Sequence, residues 1–102
     1  MLDNIFSDLL GNAREQANRM HEELAKIRLE ENYKGVKVVA DGNGHIIDLQ
    51  IDDSLLSEDK EMLQDIIVLA LNKINDKAEA EKRKYSEKMS QDLLGGIGGM
   101  FN

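Results

Sequence analysis

The chain has 102 residues, of which 41 % are hydrophobic and 32 % charged, and its net charge is −7. This length bounds it to a single domain, and the composition is that of a folded, soluble chain. The absence of cysteine excludes disulfides, thiolate chemistry and cysteine-based zinc sites. The acidic balance argues against indiscriminate attraction to a polyanion, because affinity for a phosphate backbone comes mostly from Lys and Arg. The longest fully apolar run, Ile66 to Leu71, is far short of the roughly 20 residues of a membrane span. No cationic start followed by an apolar stretch suggests a signal peptide, so a cytoplasmic location is expected.

Taken in order, Asp3 to Ala25 reads as a helix. Phe6, Leu10, Ala13, Ala17, Met20, Leu24 and Ile27 recur at alternating spacings of four and three, a narrow heptad seam suited to another helix. That partner is this chain's own sheet, its long helix, or a second subunit. Ile27 to Glu31 alternates as a first edge strand, with Asn32 to Gly35 as the turn after it; the competing reading runs the first helix on to Glu30. Val36, Val38 and Ala40, then Ile47, Leu49 and Ile51, keep a period of two around Asp41-Gly42-Asn43-Gly44, the pattern of an antiparallel hairpin. Asp53 or Ser54 can cap a single helical turn, and Ser57 the helix that follows.

That helix is expected from roughly Glu58 to Met89, about 48 Å long. Met62, Leu63, Ile66, Ile67, Val68, Leu69, Ala70 and Leu71 leave it almost no polar face. A helix apolar nearly all round must be buried nearly all round. One three-stranded sheet cannot enclose it, so the surplus predicts a dimer interface built from Met62, Leu63, Ile66, Ile67, Leu69, Ala70, Leu71 and Ile74. Beyond Ile74 the stripe thins to Ala78, Tyr85 and Met89, so the helix projects from the body or pairs with one other helix. From Leu93 the chain carries four glycines in five residues, and residues 93–102 are expected to be a flexible tail to a domain spanning 1–92.

Charge is uneven along the chain: −3 over residues 1–31, −2 over 32–56, −3 over 57–76 and +1 over 77–92. Lys73, Lys77, Lys84 and Lys88 fall within an arc of about 60° on the long helix. Lys82 and Arg83 add to the same region, and Arg14, Arg19 and Lys26 form a weaker set on the first helix. As chemistry alone this is a solvated face balanced by Asp76, Glu81 and Glu87. Asp41-Gly-Asn-Gly-His begins like a calcium loop but lacks its later ligands, and the tail has the glycines of a phosphate loop without its Lys-Ser/Thr. His21 and His45 have no second ligand at metal spacing, and Asp52-Asp53 stands at a corner that calls for capping. No nucleophile–base arrangement is present, so neither an enzyme nor a cofactor is expected.

Gly35-Val-Lys-Val38, Asn43-Gly44, Ile51-Asp52, Ser54-Leu-Leu56, Asp59-Lys-Glu-Met-Leu63 and a long helix stand here in fixed order, with Gln16 to Leu24 before them and a Gly-rich tail after. In this the chain resembles the YbaB/EbfC family of bacterial nucleoid-associated proteins. The resemblance implies an α+β fold of N-terminal helix, three-stranded antiparallel sheet and long C-terminal helix, assembled as a tweezer-like homodimer that binds duplex DNA in the nucleoid. The lysine row would then be a set of phosphate contacts on the inner wall of the tweezer. No side chain reads as a base reader, so weak sequence preference is expected. Tyr33 and Tyr85 are too few for a single-strand stacking platform. The acidic balance and the apolar tail favour an alternative, a dimeric scaffold that accepts a protein partner in its cleft without DNA.

Overall fold

The computed structural model describes the backbone of residues 2–101 and the side chains of residues 3–92. In chain order it has α1 (Leu2–Ala25), β1 (Arg28–Tyr33), β2 (Val36–Asp41), β3 (Ile46–Ile51), a 3₁₀ turn (Asp53–Ser57) and α2 (Lys60–Phe101). The strands form one antiparallel sheet in the order β1-β2-β3. The expected α+β architecture is therefore the observed one.

β2 is the central strand, and its alternation is the cleanest for that reason. Val36, Val38 and Ala40 are buried on one face, while Lys37 and Val39 lie half-buried on the other. α2 crosses that buried face and sets Ile66, Ala70, Ile74 and Ala78 into it at a spacing of four. Leu55, from the 3₁₀ turn, closes one end of this core. Each such large side chain withdrawn from water stabilises the fold by about 1.5–3 kcal/mol. Leu29, Glu31 and Tyr33 on β1 point to the same side, and Glu31 does so as an ion-pair partner.

Local details differ from expectation where backbone hydrogen bonds decide them. β1 runs on through Tyr33, and a two-residue turn joins it to β2. Lys34 (φ 47°) and Gly35 (φ 91°) both adopt the left-handed region that a tight hairpin of this hand requires. α1 stops at Ala25, which rules out a helix continuing to Glu30. α2 begins at Lys60, and Ser57 is not its cap: the Ser57 hydroxyl donates to the Ser54 carbonyl at 3.0 Å. The Leu63 N–H donates instead to the Asp59 carbonyl. Neither Asp53 nor Ser54 caps the 3₁₀ turn, which starts from Asp52 through the Leu55 N–H on the Asp52 carbonyl. The expected flexible tail, residues 93–102, lies outside the side chains described.

Past Ala78, α2 leaves the sheet and runs on for about 34 Å beside an antiparallel α1. The molecule measures 67 × 32 × 19 Å with a radius of gyration of 20.0 Å, against roughly 13 Å for a compact 100-residue domain. It has a body, made of the sheet and the proximal half of α2, and an arm, made of α1 and the distal half of α2.

Candidate nucleic-acid interface

The lysine row of α2 divides where the arm leaves the body. Lys73 Nζ sits 5.2 Å from the centre of the Tyr33 ring, a cation–π contact across to β1. Lys77 is tied further down the same strand: its Nζ lies 2.7 Å from Glu31 Oε2 and donates to the Glu30 carbonyl at 2.7 Å. Lys37, on β2, pairs with the neighbouring Glu30 at 3.0 Å. This hydrogen bond and charge hold the Glu30 carboxyl below its ordinary value of 4.5. The body therefore neutralises Lys37 and Lys77 with its own carboxylates.

The arm pairs its cations only with near neighbours in the chain. Lys82–Glu79 (3.6 Å), Lys84–Glu81 (3.7 Å) and Lys26–Glu23 (3.3 Å) are long pairs one helical turn apart. Exposed pairs of this kind contribute about 0.3–0.5 kcal/mol and exchange readily for another anion. Among the described residues Arg14, Arg19, Arg83 and Lys88 make no ion pair at all, and all four are exposed. Lys84 and Lys88 flank a shallow cleft floored by Leu24, Ile27 and Tyr85, where α1 meets α2. Farther out the two helices stand apart. An open groove of about 570 Å³ lies between them, walled by Ala13, Ala17 and Met20 on one side and Ser86, Met89 and Ser90 on the other. Of the α1 seam, Leu24 is buried and Met20 and Ile27 half-buried, while Leu10 and Phe6 remain exposed, Phe6 by 65 %.

The residues expected at a subunit interface also divide. Ile66, Ala70 and Ile74 are buried against the chain's own sheet, and Leu63, Ile67 and Leu71 are half-buried beside them. Met62 and Leu69 are exposed, and so is Val68. A second apolar surface lies on β3, which α2 does not cover. The register sets Leu49 and Ile51 opposite Val38 and Val36, hence on the same face as the core. Yet Ile46, Ile47 and Leu49 are exposed by 41, 47 and 37 %. A dimer joined through the sheet as well as the long helix was expected, but only residues of the helix were named for it, although the adjacent isoleucines Ile46 and Ile47 in an alternating strand were a visible signal. A bulge between Val39 and Ala40 makes Ile47 the extra residue.

Among the described residues no group of three or more His, Cys, Asp or Glu side chains could hold a metal ion, and no helix is long and apolar enough to cross a membrane.

Comparison with known proteins adds a family to this geometry. The model of the YbaB/EbfC DNA-binding family matches residues 3–93. A nucleoid-associated protein of Campylobacter jejuni is 42 % identical over 97 residues, covering 93 % of each chain. One from Campylobacter lari is 40 % identical over 95 residues, covering 91 % of this chain and 89 % of its own. The crystal structure of an uncharacterized protein from Helicobacter pylori superposes with a TM-score of 0.71 at 30 % identity, over 82 % of this chain and 91 % of that one.

Proposed function

This chain belongs to the YbaB/EbfC DNA-binding family, and from that premise we propose that it is a nucleoid-associated protein of the cytoplasm that grips duplex DNA as a homodimer. The cations of its arms contact phosphates with little regard for sequence. The observation that carries this reading is the division of the lysine row: on the body Lys77 is held by Glu31 and Lys73 lies over the Tyr33 ring, while on the arm Lys88, with Arg14, Arg19 and Arg83 around it, is exposed and makes no ion pair. With a net charge of −7, any DNA affinity must come from such a local concentration of positive charge.

The homodimer is supported by the uncovered apolar face of β3 together with Met62, Val68 and Leu69 of α2. An edge strand with unpaired backbone groups and exposed isoleucines is a template for another chain. Pairing two copies there would set two arms around one ligand. Two arms also double the number of phosphates reached, which matters for a chain that presents so few free cations.

The test is an equilibrium titration of random-sequence duplex from low to moderate salt, with the solution mass measured alongside. The expected result is a dimer whose log K falls linearly with log salt, by about 0.9 per phosphate neutralised. A monomer at high concentration, or no binding at micromolar protein in low salt, would remove the proposal. In the latter case the open apolar groove of the arm would favour the scaffold reading.

A further inference from the structure

The C-terminal end of α1 is held by the β2–β3 turn. Leu24, the last large side chain of α1, is buried at that end. Its carbonyl accepts from the Gly42 N–H at 2.8 Å as well as from Ile27 at 3.1 Å. One turn earlier, the His21 carbonyl accepts from Asn43 Nδ2 at 2.9 Å. The Ala25 carbonyl accepts from Arg28 Nη1 at 2.7 Å. The final carbonyls of a helix have no partner within it, and here the turn and the next strand supply several of them.

The turn that does this is itself rigid. Asp41 is buried, and its Oδ1 accepts from the backbone N–H of Asn43 at 2.9 Å and of His45 at 3.0 Å. The Gly44 N–H donates to the Asp41 carbonyl at 3.0 Å, and the Asp41 N–H to the His45 carbonyl at 3.0 Å. The Asn43 amide is therefore presented to α1 from a preformed loop. Because its partner is a carbonyl, the side chain must face it with nitrogen.

α1 is otherwise weakly held. Its outer half exposes Ile5, Phe6, Leu9 and Leu10, and the groove toward α2 stands open. A 24-residue helix is a rod of about 36 Å, so a 10° tilt at its root moves the far end by about 6 Å. Arg14 would move by about 3 Å, enough to lose a phosphate contact.

We infer that Asn43 is a positioning residue for nucleic-acid binding: by donating to the His21 carbonyl it fixes the angle of α1, and with it the reach of Arg14 and Arg19. This rests on the DNA-binding reading above, and the test separates the two. The chain has no cysteine, so spin labels can be placed uniquely at Glu15→Cys on α1 and Glu87→Cys on α2. Dilution with unlabelled protein isolates the pair within one chain. Asn43→Ala should broaden the label-to-label distance distribution and weaken binding to random-sequence duplex about fivefold, the worth of one hydrogen bond. The solution mass and the salt slope should stay unchanged, because no phosphate contact is removed. Asn43→Ser, whose hydroxyl is too short to reach His21, should behave alike and serves if the alanine variant does not fold. An unchanged distance distribution, or DNA affinity within twofold of wild type, would overturn the inference. If wild type binds no DNA while the distances still broaden, the binding reading fails and the positioning role falls with it.

Discussion

Lys77 is engaged on two sides, by the Glu31 carboxylate and the Glu30 carbonyl, and so joins α2 to the edge strand β1. Its side chain is 49 % exposed, so solvent screens the pair and its worth is at the low end for ion pairs. Lys77→Ala should lower stability by about 0.5–1 kcal/mol and leave DNA affinity nearly unchanged, as read by chemical denaturation and a parallel titration. Glu30 beside it gives a pH signature. Its carboxyl is held below the ordinary 4.5, chiefly by the hydrogen bond and charge of Lys37. A depressed folded pKa means that the pair's contribution is fully present above 4.5 and is lost as pH falls through the folded value. Lys37→Gln should bring the Glu30 titration, followed by carboxyl NMR, back up toward 4.5. Sequence spacing placed Lys73 and Lys77 with Lys84 and Lys88 on one flank of α2. It did not separate them, because the partners Tyr33 and Glu31 belong to a strand some forty residues earlier.

At the scale of elements, α1 and the sheet meet through Gly42. A Cβ there would lie 2.8 Å from the Leu24 carbonyl oxygen and 3.0 Å from Leu24 Cδ2. Backbone cannot yield cheaply at such a distance, so Gly42→Ala should destabilise by about 1–3 kcal/mol in a denaturant melt. α2 and the sheet meet through Ile74, fully buried within the core, and Ile74→Ala should cost about 2–4 kcal/mol by the same measurement. The strands were legible because a period of two was unbroken in Val36-Val38-Ala40. The grip of the turn on α1 was not. Asp41-Gly42-Asn43-Gly44 announces a hairpin, and nothing local says that its amides also hold the carbonyls of a helix about twenty residues before. The start of α2 was misplaced for a related reason: four carboxylates and two serines lie between β3 and it, and only backbone bonding decides which residue caps.

The whole molecule is long and thin, with an apolar sheet edge at one end and unpaired cations along the other. That polarity suits a dimer joined at the body and open at the arms. If the β3 face is the junction, Leu49→Glu should yield a folded monomer by sedimentation, because a carboxylate buried there without a partner costs several kcal/mol. The apolar surplus of α2 was read as an interface, yet Ile66, Ala70 and Ile74 face this chain's own β2. A sequence counts apolar residues but not which copy buries them.

On this reading the location of its cations, not its net charge, gives this acidic chain its hold on DNA. The most direct measurement compares duplex affinity across salt for two charge-matched double variants, each changing the charge by −4. Arg83→Glu with Lys88→Glu alters the arm, and Lys34→Glu with Lys60→Glu alters exposed cations of the body. The arm variant should bind far more weakly and its log–log salt slope should be shallower by about 3.6, four phosphates' worth across the two arms of the dimer, while the body variant keeps the wild-type slope. Equal losses in the two variants, or an arm variant with the wild-type slope, would contradict the account.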